Sequence, residues 1–278
     1  MNDPWAGFLV SSVAWQQIPH GEAISQVRAA GFGGVEILCK PGHFEPDNPA
    51  HISEVQTALS EWPDAVVTFH APFYNVDLSS PESDVRDHAM QEMTLALDAA
   101  SSLKAVNVTL HARGREQAQV PWTDTNPPAF RRALGQLAEV AAERKMTLSV
   151  ENMPPPRFTS HEDELLGLLE GFPRHVVGVC IDTGHAHLAG RIVEIAGALA
   201  PRAFVTHIHD NSAIGKDEHR LPGFGTIPWK EFVSALRTRG FAGYMVIEVV
   251  KDETLGKTLN ILRTAITETG LCELIEQR

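Results

Sequence analysis

The stretch "VCIDTGHAHLAG", residues 179–190, runs a short apolar segment into Asp182, then a Thr-Gly pair, then His185 and His187. A carboxylate and an imidazole three residues apart, at the end of an apolar run, are donors that suit a divalent cation. The same types recur along the chain. His70 closes "TFHA", His111 closes "VTLHA", Glu151 sits in "SVEN", His207 and His209 in "THIHD", and Glu248 in "VIEV". Asp217 and His219 follow in "KDEHRLPGFGTIPW". Oxygen and nitrogen donors of this kind point to Zn²⁺ or Mn²⁺. Soft thiolates are missing from the pattern: Cys39, Cys180 and Cys272 are far apart and form neither a CxxC knuckle nor a disulfide framework.

Something must bring these residues together. Eight apolar, β-type runs alternate with helical patterns: 7–12, 34–38, 65–71, 105–112, 147–152, 177–182, 203–210 and 244–249. Between them lie stretches such as "GEAISQVRAAGF" and "AFRRALGQLAEVAAERK", whose apolar residues recur at three-to-four spacing. Mainly apolar strands are buried on both faces, which requires a parallel sheet. Eight β-α units predict an α/β fold, a single (β/α)8 TIM barrel of one domain over residues 1–278. A doubly wound open sheet is the alternative, but no Gly-rich phosphate turn follows the first run. In the barrel, His70, His111, Glu151, Asp182, His207 and Glu248 fall at the C-terminal ends of six successive strands, where barrel active sites are built. One strand-end histidine is usually a satisfied core residue; six consecutive polar ends are a site. His185 lies close enough to reach the same mouth.

Composition sets the outer limits. The chain has 278 residues, 43% of them hydrophobic and 21% charged, with a formal net charge of −12. No basic segment precedes an apolar stretch at the N-terminus, and no apolar run reaches spanning length. A cytoplasmic protein without membrane contact is expected. The acidic balance disfavours nucleic acid as a partner without excluding it, because a local basic patch or bound metal would suffice. The oligomeric state is open, and a homo-oligomer is compatible with everything above.

The segments "FHAPFYNVDL", "VTLHA", "VENMP", "VGVCIDTGHAHLAG", "THIHDN", "DEHRLPGFGTIPW" and "VIEV", taken in order, resemble the xylose-isomerase-like TIM-barrel superfamily. That superfamily includes sugar and sugar-phosphate isomerases and epimerases, and the endonuclease IV group of AP endonucleases. The isomerase branch implies one divalent ion held by Glu151, Asp182, His207 and Glu248. The endonuclease branch implies three zinc ions, with His70, His111, His185, Asp217 and His219 added. Against the second branch, "ENMPPPRFTSHEDE" replaces a glycine-rich loop, and only Lys40, Arg113, Arg115, Arg157, Lys216 and Arg220 lie near the predicted mouth.

Under the isomerase or epimerase reading, the substrate is a small sugar or sugar phosphate. The metal polarises its carbonyl and steadies an enediolate, while Glu151 and Glu248 remove and return a proton. His185 and His70 are expected on the substrate, Arg220 or Lys216 at a hydroxyl or phosphate, and Trp15, Phe73 or Trp229 as an aromatic wall. The alternatives are a trinuclear zinc phosphodiesterase, or a metal-dependent lyase or dehydratase of a keto-sugar or polyol. His207 is favoured over His209 as the ligand; His187 is expected outside the ligand set. His20, His43, His51, His88, His161 and His175 are expected at the surface. Asp210 and Asn211 are as consistent with shaping the loop as with touching substrate, and Glu36 is either a substrate contact or a satisfied strand-end carboxylate.

Overall fold

The computed structural model describes residues 4–112, 127–250 and 254–275. Its strands close into one parallel barrel in chain order: β1 (Phe8–Ser11), β2 (Gly34–Leu38), β3 (Val66–His70), β4 (Asn107–Leu110), β5 (Thr147–Glu151), β6 (Val177–Asp182), β7 (Ala203–Ile208) and β8 (Tyr244–Ile247). The expected (β/α)8 TIM barrel is therefore present, with strand ends within two residues of the apolar runs. Closure leaves no unpaired edge. The outer layer comprises α1 (His20–Ala29), α2 (Pro49–Ser60), α3 (Ser83–Ser102), α4 (Pro127–Glu143), α5 (Glu162–Leu168), α6 (Thr183–Leu188), α7 (Ile192–Leu199), α8 (Trp229–Thr238) and α9 (Leu255–Glu268). No described helix is long and apolar enough to cross a membrane. Arg113 and Arg115 lie outside the described residues.

Strand alternation sorts each strand into an outward row, packed on the helices, and an inward row. Leu9, Cys180, Val205 and Val246 form a small apolar plug of their own, separate from the large core between barrel and helices. Three of the four sit two residues before Asp182, His207 and Glu248. On β6, β7 and β8 the inward row is thus apolar low in the barrel and becomes polar at its mouth. On β4 and β5 it is polar from the first strand residues, where Asn107 donates to Thr147 Oγ1 and Ser149 Oγ at 2.8 and 2.9 Å.

The connection from β7 to α8 is organised by Asp210, which is fully buried. Its carboxylate accepts from the backbone N–H groups of Asn211, Gly223 and Ile227 and from the Trp229 indole, at 2.9 to 3.2 Å. Gly225 passes so close that a Cβ there would lie 2.2 Å from Asp210 Oδ1. Asp210 and Asn211 therefore shape the loop, and Trp229 is committed to holding it. That loop carries Asp217 and His219.

A second buried network holds the loops after β1 and β2. His20 and His43, expected at the surface, are only 4% and 8% exposed, and His51 is half-buried. The expectation holds for His88, His161 and His175, which are exposed. Trp15 donates its indole N–H to His20 Nδ1 at 3.2 Å, while His20 Nε2 faces the His43 carbonyl at 3.2 Å. His43 Nε2 lies 3.0 Å from Ser12 Oγ, which also accepts the Leu38 N–H. The sequence around these histidines has no periodicity that would announce burial; the loops fold over them.

Two outcomes are expected. Asp210→Ala leaves four donors without their acceptor and should lower unfolding free energy in urea by about 3 kcal/mol or more. Burial, and then the neighbouring His20, Lys40 and His51, push the His43 imidazole down to about 3, and burial also lowers His20. The folded form therefore keeps these rings neutral at pH values where the unfolded chain takes up protons. Their contribution is fully present above pH ~6.5 and is lost as pH falls from there towards 3. Urea midpoints from pH 7.5 to 5 should drop less for His43→Gln than for the parent chain; parallel curves would refute this.

Candidate metal centre

The strand ends converge at one mouth on a cavity of about 320 Å³. Its lining includes His70, His111, Glu151, His185, Asp217, His219 and Glu248. Glu151 sits at the focus. Its Oε2 lies 3.4 Å from His70 Nε2, 3.3 Å from His111 Nε2 and 3.3 Å from His207 Nδ1, while Oε1 lies 3.2 Å from His185 Nδ1. His207 Nδ1 is also 2.9 Å from Glu248 Oε2. Asp217 Oδ2 is shared by His185 Nε2 at 3.1 Å and His219 Nε2 at 3.0 Å.

Asp182 has two tasks. It ends β6 and accepts the His185 N–H at 2.7 Å, capping α6. That cap turns "TGHAHL" into a helix at once and swings His185 back to the strand ends. His187, two positions on, faces Thr226 Oγ1 at 2.9 Å, outside the cluster. Asn152, which no spacing in the sequence marks, ties β5 to β6: it accepts the Asp182 N–H at 2.8 Å and donates to the Asp182 carbonyl at 3.2 Å.

Four imidazoles share a pattern that suits metal ligation. One nitrogen of each meets an outer acceptor: His70 Nδ1 the Ala71 carbonyl at 2.9 Å, His185 Nδ1 the Asn152 carbonyl at 2.9 Å, His219 Nδ1 the Glu248 carbonyl at 2.8 Å, and His207 Nε2 the Glu36 carboxylate at 3.2 Å. An N–H donated outward leaves the other nitrogen's lone pair facing the cluster; in His185 that other nitrogen, Nε2, faces Asp217, while Nδ1 lies between the Asn152 carbonyl and Glu151. Glu151 Oε2, His207 Nδ1 and both nitrogens of His111 are buried without a hydrogen-bond partner. Buried polar atoms that converge without hydrogen-bond partners suit a cation. Groups of three donor atoms within 4.8 Å include His70–His111–Glu151, Glu151–Asp182–His185 and Asp182–His207–Glu248.

His207 and His209 separate by geometry. His207 Nδ1 faces both glutamates, whereas His209 sets Nε2 against the two Asp182 oxygens at 3.0 and 2.9 Å and stacks on His219 at 4.0 Å. Gly184 makes room for it, since a Cβ there would lie 2.0 Å from the His209 ring. His209 nevertheless joins His219 and Glu248 in a further donor group.

Electrostatics reflect the mutual pairing. Burial alone would lower the imidazoles, but the facing carboxylates prevail and hold His70, His185 and His207 above the ordinary value, and His219 at about 10. Burial would raise Glu248, yet His207 beside it brings it down to about 2. Glu151 is likewise held well below the carboxylate range by His111 and His207 against the effect of burial.

The opposite wall differs from expectation. Trp15 is fully buried, its indole spent on His20, and does not reach the cavity. Of the expected aromatic residues, Phe73 does line it, stacked on Tyr74 at 4.5 Å and 4.9 Å from the His111 ring. Arg220 turns away to Glu218 Oε1 at 2.6 Å and the Phe224 carbonyl at 3.3 Å. Neither it nor Lys216 lines the cavity. Among the described residues, the lysine and arginine side chains that do are Lys40, bonded to Gln16 Oε1, and Arg157. No sequence spacing signals Gln16 or Tyr74; Gln16 follows β1 beside the network around His20 and His43, and Tyr74 lies in the connection after β3.

A family model described as a xylose isomerase-like TIM barrel matches residues 24–267. D-psicose 3-epimerase of Ruminiclostridium cellulolyticum is 25% identical over 86% of this chain and 82% of its own. A D-tagatose 3-epimerase-like crystal structure matches with a TM-score of 0.80 at 22% identity, covering 95% of this chain and 98% of that one. The IOLI protein, crystallised with a zinc atom, matches with a TM-score of 0.79 at 14% identity, covering 95% and 97% of the two chains. The resemblance carried by the strand-end motifs thus extends over nearly the whole barrel, and the chain belongs to the xylose isomerase-like TIM barrel family.

Proposed function

We propose that the chain acts as one catalytic domain, a divalent-metal-dependent epimerase of ketose sugars or their phosphates. The observation that carries this reading is the pair Glu151 and Glu248, whose Oε2 atoms flank His207 Nδ1 at 3.3 and 2.9 Å beside the cavity. Support also comes from a relative that is a D-psicose 3-epimerase.

Glu151, Asp182, His207 and Glu248 would hold the ion, and three carboxylates with one imidazole suit Mn²⁺ as well as Zn²⁺. When bound, the ion supplies Lewis-acid polarisation of a carbonyl and its neighbouring hydroxyl. One glutamate, as carboxylate, takes the proton from the carbon beside that carbonyl. The other, as carboxylic acid, returns a proton to the opposite face, inverting that carbon. His185 and His70 orient substrate oxygens. Phe73 and Tyr74 cover the apolar face of the sugar, and Lys40 with Gln16 meets polar groups at its far end.

A second reading has its own observation. All nine residues of the trinuclear set converge, with Asp217 bridging His185 and His219, and with His70 and His111 on Glu151. This arrangement favours up to three zinc ions and phosphodiester hydrolysis.

The deciding experiment is metal analysis of the purified protein, followed by incubation with a ketose and ketose-phosphate panel in D₂O. One ion per chain, with deuterium entering at the inverted carbon, supports the epimerase. Three zinc ions and cleavage of an abasic-site duplex would replace it with the phosphodiesterase, and net loss of water from the sugar would indicate a dehydratase. Chelation should abolish turnover, with Mn²⁺ or Zn²⁺ restoring it. Glu248→Gln should lower kcat by about a thousandfold with KM little changed; unaltered turnover would remove its assigned role.

A further inference from the structure

We propose that Glu36 on β2 is a positioning residue that fixes the tautomer and orientation of His207, and thereby sets how tightly the centre holds its ion. The inference rests on His207 being a ligand, as in the proposed function.

Glu36 and His207 are separated by 171 positions and meet across the barrel interior, where both are fully buried. Glu36 Oε2 lies 3.2 Å from His207 Nε2 and accepts the Thr68 hydroxyl at 3.4 Å. His70, His185 and His219 direct their outer nitrogens to backbone carbonyls, whose positions the fold itself fixes. His207 alone among the four relies on a side chain. A buried carboxylate is costly unless paired, and Glu36 Oε1 has no hydrogen-bond partner to offset that cost. Its main compensation is His207 and the positive charge beyond.

The consequence is directional. A carboxylate at Nε2 requires the proton there, because two acceptors cannot share a bond without one. In the neutral ring Nδ1 then keeps the lone pair that a cation needs, on the side facing Glu151 and Glu248. Without Glu36 the proton is free to occupy Nδ1, or the ring to turn, and either change removes a donor from the site. Outer carboxylates of this kind also make an imidazole a stronger donor, and their loss typically weakens metal binding about 10- to 100-fold.

The test measures Mn²⁺ and Zn²⁺ affinity by chelator competition on the full chain, together with histidine ¹⁵N spectra. His207 is assigned by the signal lost in His207→Asn. Glu36→Leu should bind metal about 10- to 100-fold more weakly and lose the Nε2–H signature of His207. Glu36→Gln keeps an oxygen acceptor and should remain closer to the parent chain. Should the leucine variant not fold, Glu36→Asp keeps the charge but withdraws the acceptor, and should weaken affinity in the same direction. Parent-like affinity or an unchanged His207 tautomer in the folded Leu or Asp variant overturns the proposal. Metal affinity is read without any sugar, so failure to turn over ketoses counts against the epimerase alone. Unaffected binding in His207→Asn removes the ligand assignment beneath both.

Discussion

Everything at the mouth of this barrel depends on a dense, buried pairing of carboxylates with imidazoles. Glu151 alone has three imidazole nitrogens within 3.4 Å of one oxygen and a fourth near the other. In a medium with little water, such groups are stable only if charge and hydrogen bonding are balanced around each of them. The outer acceptors on His70, His185, His207 and His219 meet part of that demand and leave the inner lone pairs convergent. The cation of the proposed function would meet the rest. The cluster is thus an electrostatic requirement of the fold as well as a candidate reaction centre.

The barrel delivers this pairing through the two-residue period of its strands. Inward positions low in the barrel carry Leu9, Cys180, Val205 and Val246, which exclude water. One step up the same rows come Asp182, His207 and Glu248. A shift of one residue in any strand would point its ligand at the helices instead. Register is protected because the outward row is strongly apolar, so a slip would bury the ligand row in the main core. Site and stability are therefore specified by one pattern.

The loops complete what the strands begin. Asp210 gathers the β7–α8 connection, so that Asp217 and His219 return over the cavity, and Asn152 locks β5 against β6 where Glu151 and Asp182 must meet. On the opposite wall, the network of Trp15, His20, His43 and Ser12 fixes the loops that carry Gln16 and Lys40. The candidate ligands stand mainly on or beside rigid strand ends, while the residues proposed to face the far end of a substrate stand on loops. That division suits a common metal chemistry with a substrate preference set by the loops.

The sequence by itself determined the barrel, its eight strands and the row of polar residues at the strand ends. From β3 to β8 each strand is a mainly apolar run that stops at a polar residue of metal-binding type, and that signal is local. Asp182 and His185 were legible for the same reason: both lie in one short stretch that can be read without a partner. Tertiary structure alone decided the contacts between distant segments. Trp15 and Arg220 have the right chemistry for a substrate but are claimed by His20 and Glu218, and nothing in the spacing reveals those claims. His20 and His43 look like loop histidines until two loops fold over them. Glu36 was visible only as a lone charge in an apolar strand; its meeting with His207 required the barrel to close. Local pattern sets which face a side chain occupies, whereas closure sets what it faces.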